Sequence, residues 1–150
     1  MRALMFAAAA AAPLLLAGCG PSGGKPPGKS PAELLAELPA PYSAGDVNAG
    51  KQVFALCTAC HTIGPGQPNT VGPNLHDVFG AAAGSKADFA YSPGLKAAGW
   101  TWDAARIDQW VSDPTGLIPG TKMVFIGVKD PKQRTDLIAY LKVASSSAAP

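Results

Sequence analysis

The sequence predicts an all-α fold for one compact domain of roughly 100 residues. Three observations predict it. Apolar residues recur at helical spacing behind helix-capping residues at four places after Gly45. No segment alternates apolar and polar residues convincingly enough for a strand. The two longest gaps between helical segments, residues 64–80 and 114–129, are rich in Gly and Pro. Loops that long in a small domain wrap something or do something.

The chain has 150 residues, of which 15% are charged and 32 are Gly or Pro (17 and 15). Much of the Gly and Pro falls in the first 45 residues. From Gly45 onward nine Lys and Arg face eight Asp and Glu, a net charge of +1. Such a balance lacks the basic stripe of a nucleic-acid binder. After the N-terminus no run of apolar residues is long enough to span a membrane. A domain this small buries a modest core and often needs a staple, metal or cofactor.

Residues 1–18 read as a targeting segment. Arg2 gives the positive start, and residues 3–17 are almost all Ala, Leu, Met, Phe and Pro. Leu16, Ala17, Gly18 and Cys19 then resemble the lipobox of bacterial lipoproteins. That resemblance implies that the Cys19 thiol takes a lipid and that Cys19 becomes the new N-terminus. Two alternatives stand beside it: a chance cysteine behind an ordinary signal peptide, and an uncleaved anchor. Physical chemistry favours lipidation, because a lone thiol in an oxidising compartment invites wrong pairing. Each buried lipid methylene adds about 0.8 kcal/mol, so two or three chains hold firmly. Residues 19–44 are expected to be the lipidated N-terminus and a flexible Pro/Gly-rich linker. Its apolar insert AELLAEL is too short to be a stable helix alone.

The helices follow in order. Asp46 can cap a helix carrying Val47, Gly50, Val53 and Phe54. Ser92 followed by Pro93 starts a short helix that ends at Gly99. Thr101 can cap a helix with Trp102, Ile107, Trp110 and Val111, stopping before Pro114. Asp130 followed by Pro131 starts the last helix, with Leu137, Ile138, Tyr140 and Leu141 on its apolar side.

Residues 57–61, CTACH, are the strongest chemical signal. C-x-x-C-H is the attachment pattern of c-type haem. On one helical turn, residues three apart share a face, so the sulfurs of Cys57 and Cys60 can both reach the vinyl groups of one porphyrin. His61 then presents its imidazole to the iron. The rival readings fit less well. A structural zinc site needs four ligands, and only His76 could be added. A thioredoxin-like pair would need a βαβ setting. A plain disulfide would make His61 an accident. The second axial position of the iron has two candidates, Met123 and His76. Met123 lies in the stiff loop IPGTKMVF, which favours a ligand over a core-filling role.

With these residues in place, the chain resembles a class I cytochrome c of the mitochondrial and bacterial respiratory type. The resemblance runs from Gly45 to about Lys142. It rests on GDVNAGKQVF, CTACHT, VGPNLHDVFG, IPGTKMVFIGV and DLIAYLK in that order. It implies an all-α class I cytochrome c fold wrapped around one covalently bound haem c, over residues 45–144, with a flexible tail at 145–150. The first and last helices should cross at Gly50, next to Leu137 and Tyr140. His61 and Met123 are implied as axial ligands, and Cys57 and Cys60 as thioether donors. Pro73 should pack near His61, whose ring N–H seeks a backbone carbonyl there. Tyr91, Trp102 and Thr121 match the haem-propionate partners, and Phe125 the aromatic beside the exposed haem edge. His76 matches a structural histidine.

The chain departs from the family at three positions. Ala81 stands where the family commonly has Arg, and Trp110 where it has Tyr near the ligand methionine. Both bear on the iron potential rather than the fold. Asp77 stands where glycine is usual. The domain is also less basic than mitochondrial relatives, although Lys86, Lys122, Lys129 and Lys132 could form a local patch.

The function this implies is a non-enzymatic, one-electron carrier, tethered to the periplasmic face of a bacterial membrane, the inner one by preference. Its partners would be a quinol-oxidising complex as donor and a terminal oxidase or photosynthetic centre as acceptor. The lipid bilayer would be contacted through Cys19, and the protein is expected to be a monomer that binds no nucleic acid. Rival functions are a haem peroxidase or gas-binding sensor, which need an open iron site, and an electron-delivery subunit of one periplasmic enzyme.

Overall fold

The computed structural model describes residues 28–146. The signal segment, Cys19 and the last four residues of the expected tail lie outside them. The order is α1 (Pro31–Ala36), a 3₁₀ turn (Tyr42–Ala44), α2 (Val47–Phe54), α3 (Pro93–Lys96), α4 (Ala104–Ser112), α5 (Pro114–Leu117) and α6 (Pro131–Ser145). Among the described residues the only β pairing is an isolated bridge between Ala82 and Thr101. No described helix is long and apolar enough to cross a membrane.

The caps explain the boundaries. The Asp46 carboxylate accepts from the amides of Asn48 and Ala49 at 2.8 and 3.0 Å, and α2 starts there. Ser92 caps α3, and Asp130 caps α6 through the amides of Lys132 and Gln133. Thr101 does not cap α4. Asp103 does, accepting from the Arg106 amide at 2.7 Å. Thr101 is held instead in the bridge to Ala82, which leaves Trp102 in the loop before the helix.

α6 packs most extensively on α2, and further against α1, α4 and the 3₁₀ turn. Surrounded in this way, it buries all of residues 136–139 rather than one stripe. The crossing with α2 is closest at Gly50. A Cβ there would lie 2.0 Å from the Asp136 carbonyl oxygen and 2.8 Å from the Tyr140 Cβ. Tyr140 is thus the expected neighbour, and the Asp136 carbonyl comes closest of all. The rings of Phe54 and Tyr140 meet at 5.2 Å, and the Asp46 amide donates to the Asp136 carboxylate at 2.8 Å. Around this crossing Phe54, Leu95, Ile107, Trp110, Leu137 and Ile138 form the core.

The stretch expected as linker differs from expectation over its second half. AELLAEL belongs to a docked helix. The Ser30 hydroxyl accepts from the Glu33 amide, and the Glu33 carboxylate accepts from the Ser30 amide at 2.7 Å. Leu34 is 1% exposed and Leu38 8% exposed, so tertiary packing supplies what the short helix lacks alone. The C-terminal boundary also shifts. Ser145 is the last helical residue, is buried, and its carbonyl accepts from the Asp77 amide at 2.7 Å. Asp77 takes φ +53, the left-handed region that explains glycine as the usual residue there.

Candidate functional site

The CTACH segment follows α2 without a break and closes one further turn. The His61 amide donates to the Cys57 carbonyl at 2.9 Å, and the Cys60 amide to the same oxygen at 3.0 Å. Cys57, Cys60 and His61 thereby sit on one turn. Both thiols are free. Burial pushes the Cys57 thiol up to about 11, with the Cys60 thiol adding to the shift.

The loop over residues 64–80 folds back onto this turn. The Gly72 amide donates to the Cys60 carbonyl at 2.7 Å and the Leu75 amide to the Thr62 carbonyl at 2.8 Å. Side-chain amides hold the loop itself: buried Asn74 donates to the Gly64 and Gln67 carbonyls, both at 2.9 Å. The result fixes His61. Its Nδ1 lies 2.7 Å from the Pro73 carbonyl oxygen. A carbonyl can only accept, so Nδ1 carries the proton and Nε2 keeps its lone pair. Burial lowers the pKa of His61, which favours the neutral ring, and the bond to Pro73 opposes that shift.

The second loop brings Met123. The Thr121 hydroxyl accepts from the Met123 amide at 3.3 Å. Along residues 123–128, Met123 and Phe125 are half-buried and Val124 and Ile126 exposed. The far end of this stretch is anchored. The Arg134 guanidinium donates to the Val128 and Lys129 carbonyls at 3.0 and 2.9 Å and to Asp108 at 2.9 Å.

Between the two loops lies a cavity of about 340 Å³. Every residue expected at the site lines it: Cys57, Cys60, His61, Pro73, Tyr91, Trp102, Thr121 and Met123. Phe125, Ala81 and Trp110 line it too. Backbone pairing of residues 80–83 with Trp100 and Trp102 turns the Trp102 segment along the wall, and Trp102 meets Trp110 edge-on at 5.6 Å. His76 is not among the lining residues. Each of the four lysines has a partner. Lys86, Lys122 and Lys129 donate to the carbonyls of His76, Ala90 and Ser112, and Lys132 pairs with Asp136.

Two contributors escape a reading of the sequence. Gly72 lies flat against the His61 ring, where a Cβ would sit 2.3 Å from Cε1. Its signal is the glycine before proline in VGPN. Arg134 gave none, because a lone arginine on a helix reads as surface.

These donors and this shape suit a tetrapyrrole. Two thiols and an imidazole share one turn, the imidazole nitrogen left without a proton is a metal-ligating type, and the walls are mostly apolar. A family model decides the matter: the one described as Cytochrome c matches residues 47–145. The chain belongs to the cytochrome c family. With that family goes one covalently bound haem c, for which Cys57 and Cys60 are present. Cytochrome c2 of Rhodomicrobium vannielii is 47% identical over 100 residues, covering 67% of this chain and 80% of that protein. Cytochrome c2 of Blastochloris viridis is 48% identical over 109 residues, covering 73% and 86%. The solved structure of cytochrome cH from Methylobacterium extorquens aligns with a TM-score of 0.61 at 52% identity, covering 65% of this chain and 98% of that one. The all-α class I cytochrome c fold is therefore shown.

Proposed function

We propose that this cytochrome c is a one-electron carrier, held at the periplasmic face of a bacterial membrane, the inner one by preference, by lipid on Cys19. The haem supplies Fe(II)/Fe(III) chemistry when bound. The chain's own residues supply attachment, orientation and exclusion of water. Cys57 and Cys60 are the thioether donors. His61 and Met123 would hold the iron from the two loops, which would leave no site for a substrate and fits a carrier rather than an enzyme. Tyr91, Trp102 and Thr121 offer donors to the propionates, whose charge needs partners when buried.

The observation that carries this reading is that one cavity joins the fixed His61 ring to Met123. The mouth supports docking to redox proteins. Leu56, Val71 and Val124 line it and are 62%, 75% and 97% exposed. Exposed aliphatic groups gathered at one opening mark an interaction surface. Lys86 and Lys122 are the charged residues among its lining. The donor would be a quinol-oxidising complex and the acceptor a terminal oxidase or photosynthetic centre, with the carrier a monomer.

The test is the optical spectrum of the oxidised protein, followed by carbon monoxide after reduction. A weak near-red sulfur-to-iron band and no response to carbon monoxide are expected. A missing band with rapid carbon monoxide binding would replace the carrier with a peroxidase or gas sensor.

A further inference from the structure

α1 lies outside the residues that the family model matches, 47–145, yet it is built into the domain. Leu34 and Leu38 are buried, and Leu38 joins the main core cluster. The Glu37 carboxylate accepts from Lys142 of α6 at 2.7 Å and also pairs with Lys29. Lys142 lies over the Phe79 ring at 5.3 Å, which fixes its direction. The chain is therefore held to α6 from α1 onward. No residue of this arm lines the haem cavity, so docking leaves the mouth clear.

We infer that residues 31–38 are a latch that sets how far the domain reaches from its membrane. The inference rests on the Cys19 anchor. With the latch closed, eleven residues, 20–30, separate Cys19 from α1. They extend to at most ~40 Å. With the latch open through Leu38, nineteen residues, 20–38, separate Cys19 from the rest of the domain. A chain of nineteen residues reaches at most ~65 Å, and a coil of nineteen residues spans about 1.3-fold more than one of eleven. Closing the latch keeps the mouth within the shorter range, where partners embedded in the same membrane stand.

The experiment uses the full lipidated holoprotein in phosphatidylcholine vesicles with a headgroup fluorophore. Time-resolved energy transfer to the haem reports the distribution of separations. Hydrogen exchange at residues 31–38 reports the latch itself. Two variants open it: Leu34→Asp with Leu38→Asp, and Glu37→Lys, a surface change that keeps the core intact. The expected result is slow exchange in the parent, fast exchange in both variants, and a distribution that widens about 1.3-fold with a tail beyond ~40 Å. Equally fast exchange in parent and variants would overturn the latch. So would an unchanged distribution once exchange shows the arm released. Failure of the parent to associate with vesicles would instead overturn the anchor on Cys19.

Discussion

Gly72 rests directly on the imidazole of His61, and a Cβ at that position would lie 2.3 Å from Cε1, 2.7 Å from Nδ1 and 2.8 Å from Nε2. No side chain fits without moving the ring or the loop. The same loop supplies the Pro73 carbonyl that orients the ring at 2.7 Å. Gly72→Ala should therefore disturb the orientation of the His61 ring and the packing together. Denaturant titration of the holoprotein should show a loss of about 1–3 kcal/mol, and the reduction potential should move. Gly66→Ala is the control. It lies at φ +67 with open space around it, so strain alone should cost about 1 kcal/mol and leave the potential unchanged. Equal effects from both would refute the ring contact.

The helix crossing makes a second prediction. A Cβ at Gly50 would meet the Asp136 carbonyl oxygen at 2.0 Å, and the obstacle is backbone rather than a side chain that could rotate. Gly50→Ala must force α2 and α6 apart. The expected loss is about 3 kcal/mol, the upper end for overpacking. Thermal unfolding followed at the haem absorption checks it. A change under 1 kcal/mol, about the gain in helix propensity from Gly to Ala, would mean that the crossing yields.

Arg134 connects α6 to the end of the methionine loop and to α4. Its side chain is 14% exposed and that of Asp108 23%. Its planar fork meets two carbonyls and a carboxylate, which a lysine cannot copy. Arg134→Lys should cost about 2 kcal/mol. It should also weaken the near-red band on warming before the fold melts, because the loop loosens first. Loss of stability with the band intact up to the melting point would confine Arg134 to a role in general packing.

The sequence carried most of the site and less of its framework. The CTACH spacing is chemistry written in consecutive residues, and Asp46, Ser92 and Asp130 cap where local rules put them. Met123, singled out from its loop, lines the cavity. The arm was not. AELLAEL sits between prolines, and its fate depends on Leu34 and Leu38 finding α6, a contact remote in sequence. One local signal was present, Ser30 with Glu33 three residues on. Thr101 and Asp103 are both capping types, and pairing of residues 80–83 with the chain at 100–102 decided between them. Arg134 and Asp108 are 26 residues apart, beyond any periodic pattern.

Glu37 gives the arm a defined response to pH. Hydrogen bonds from Lys142 and Lys29 hold its carboxyl at about 2 in the folded protein, against 4.5 for a free side chain. A carboxyl with a depressed folded pKa stabilises the docked state fully above its free value. That contribution fades as pH falls from 4.5 toward 2. Hydrogen exchange at residues 31–38 should thus be constant from neutral pH to about 4.5, after correction for intrinsic rates, and should accelerate below it. Glu37→Gln should remove the acid response and show the faster, low-pH behaviour throughout. An arm that loosens equally with acid in the Gln variant would assign the response to another carboxylate. The exposure of the pair means that salt should also weaken it, while leaving the buried contacts of Leu34 and Leu38 in place.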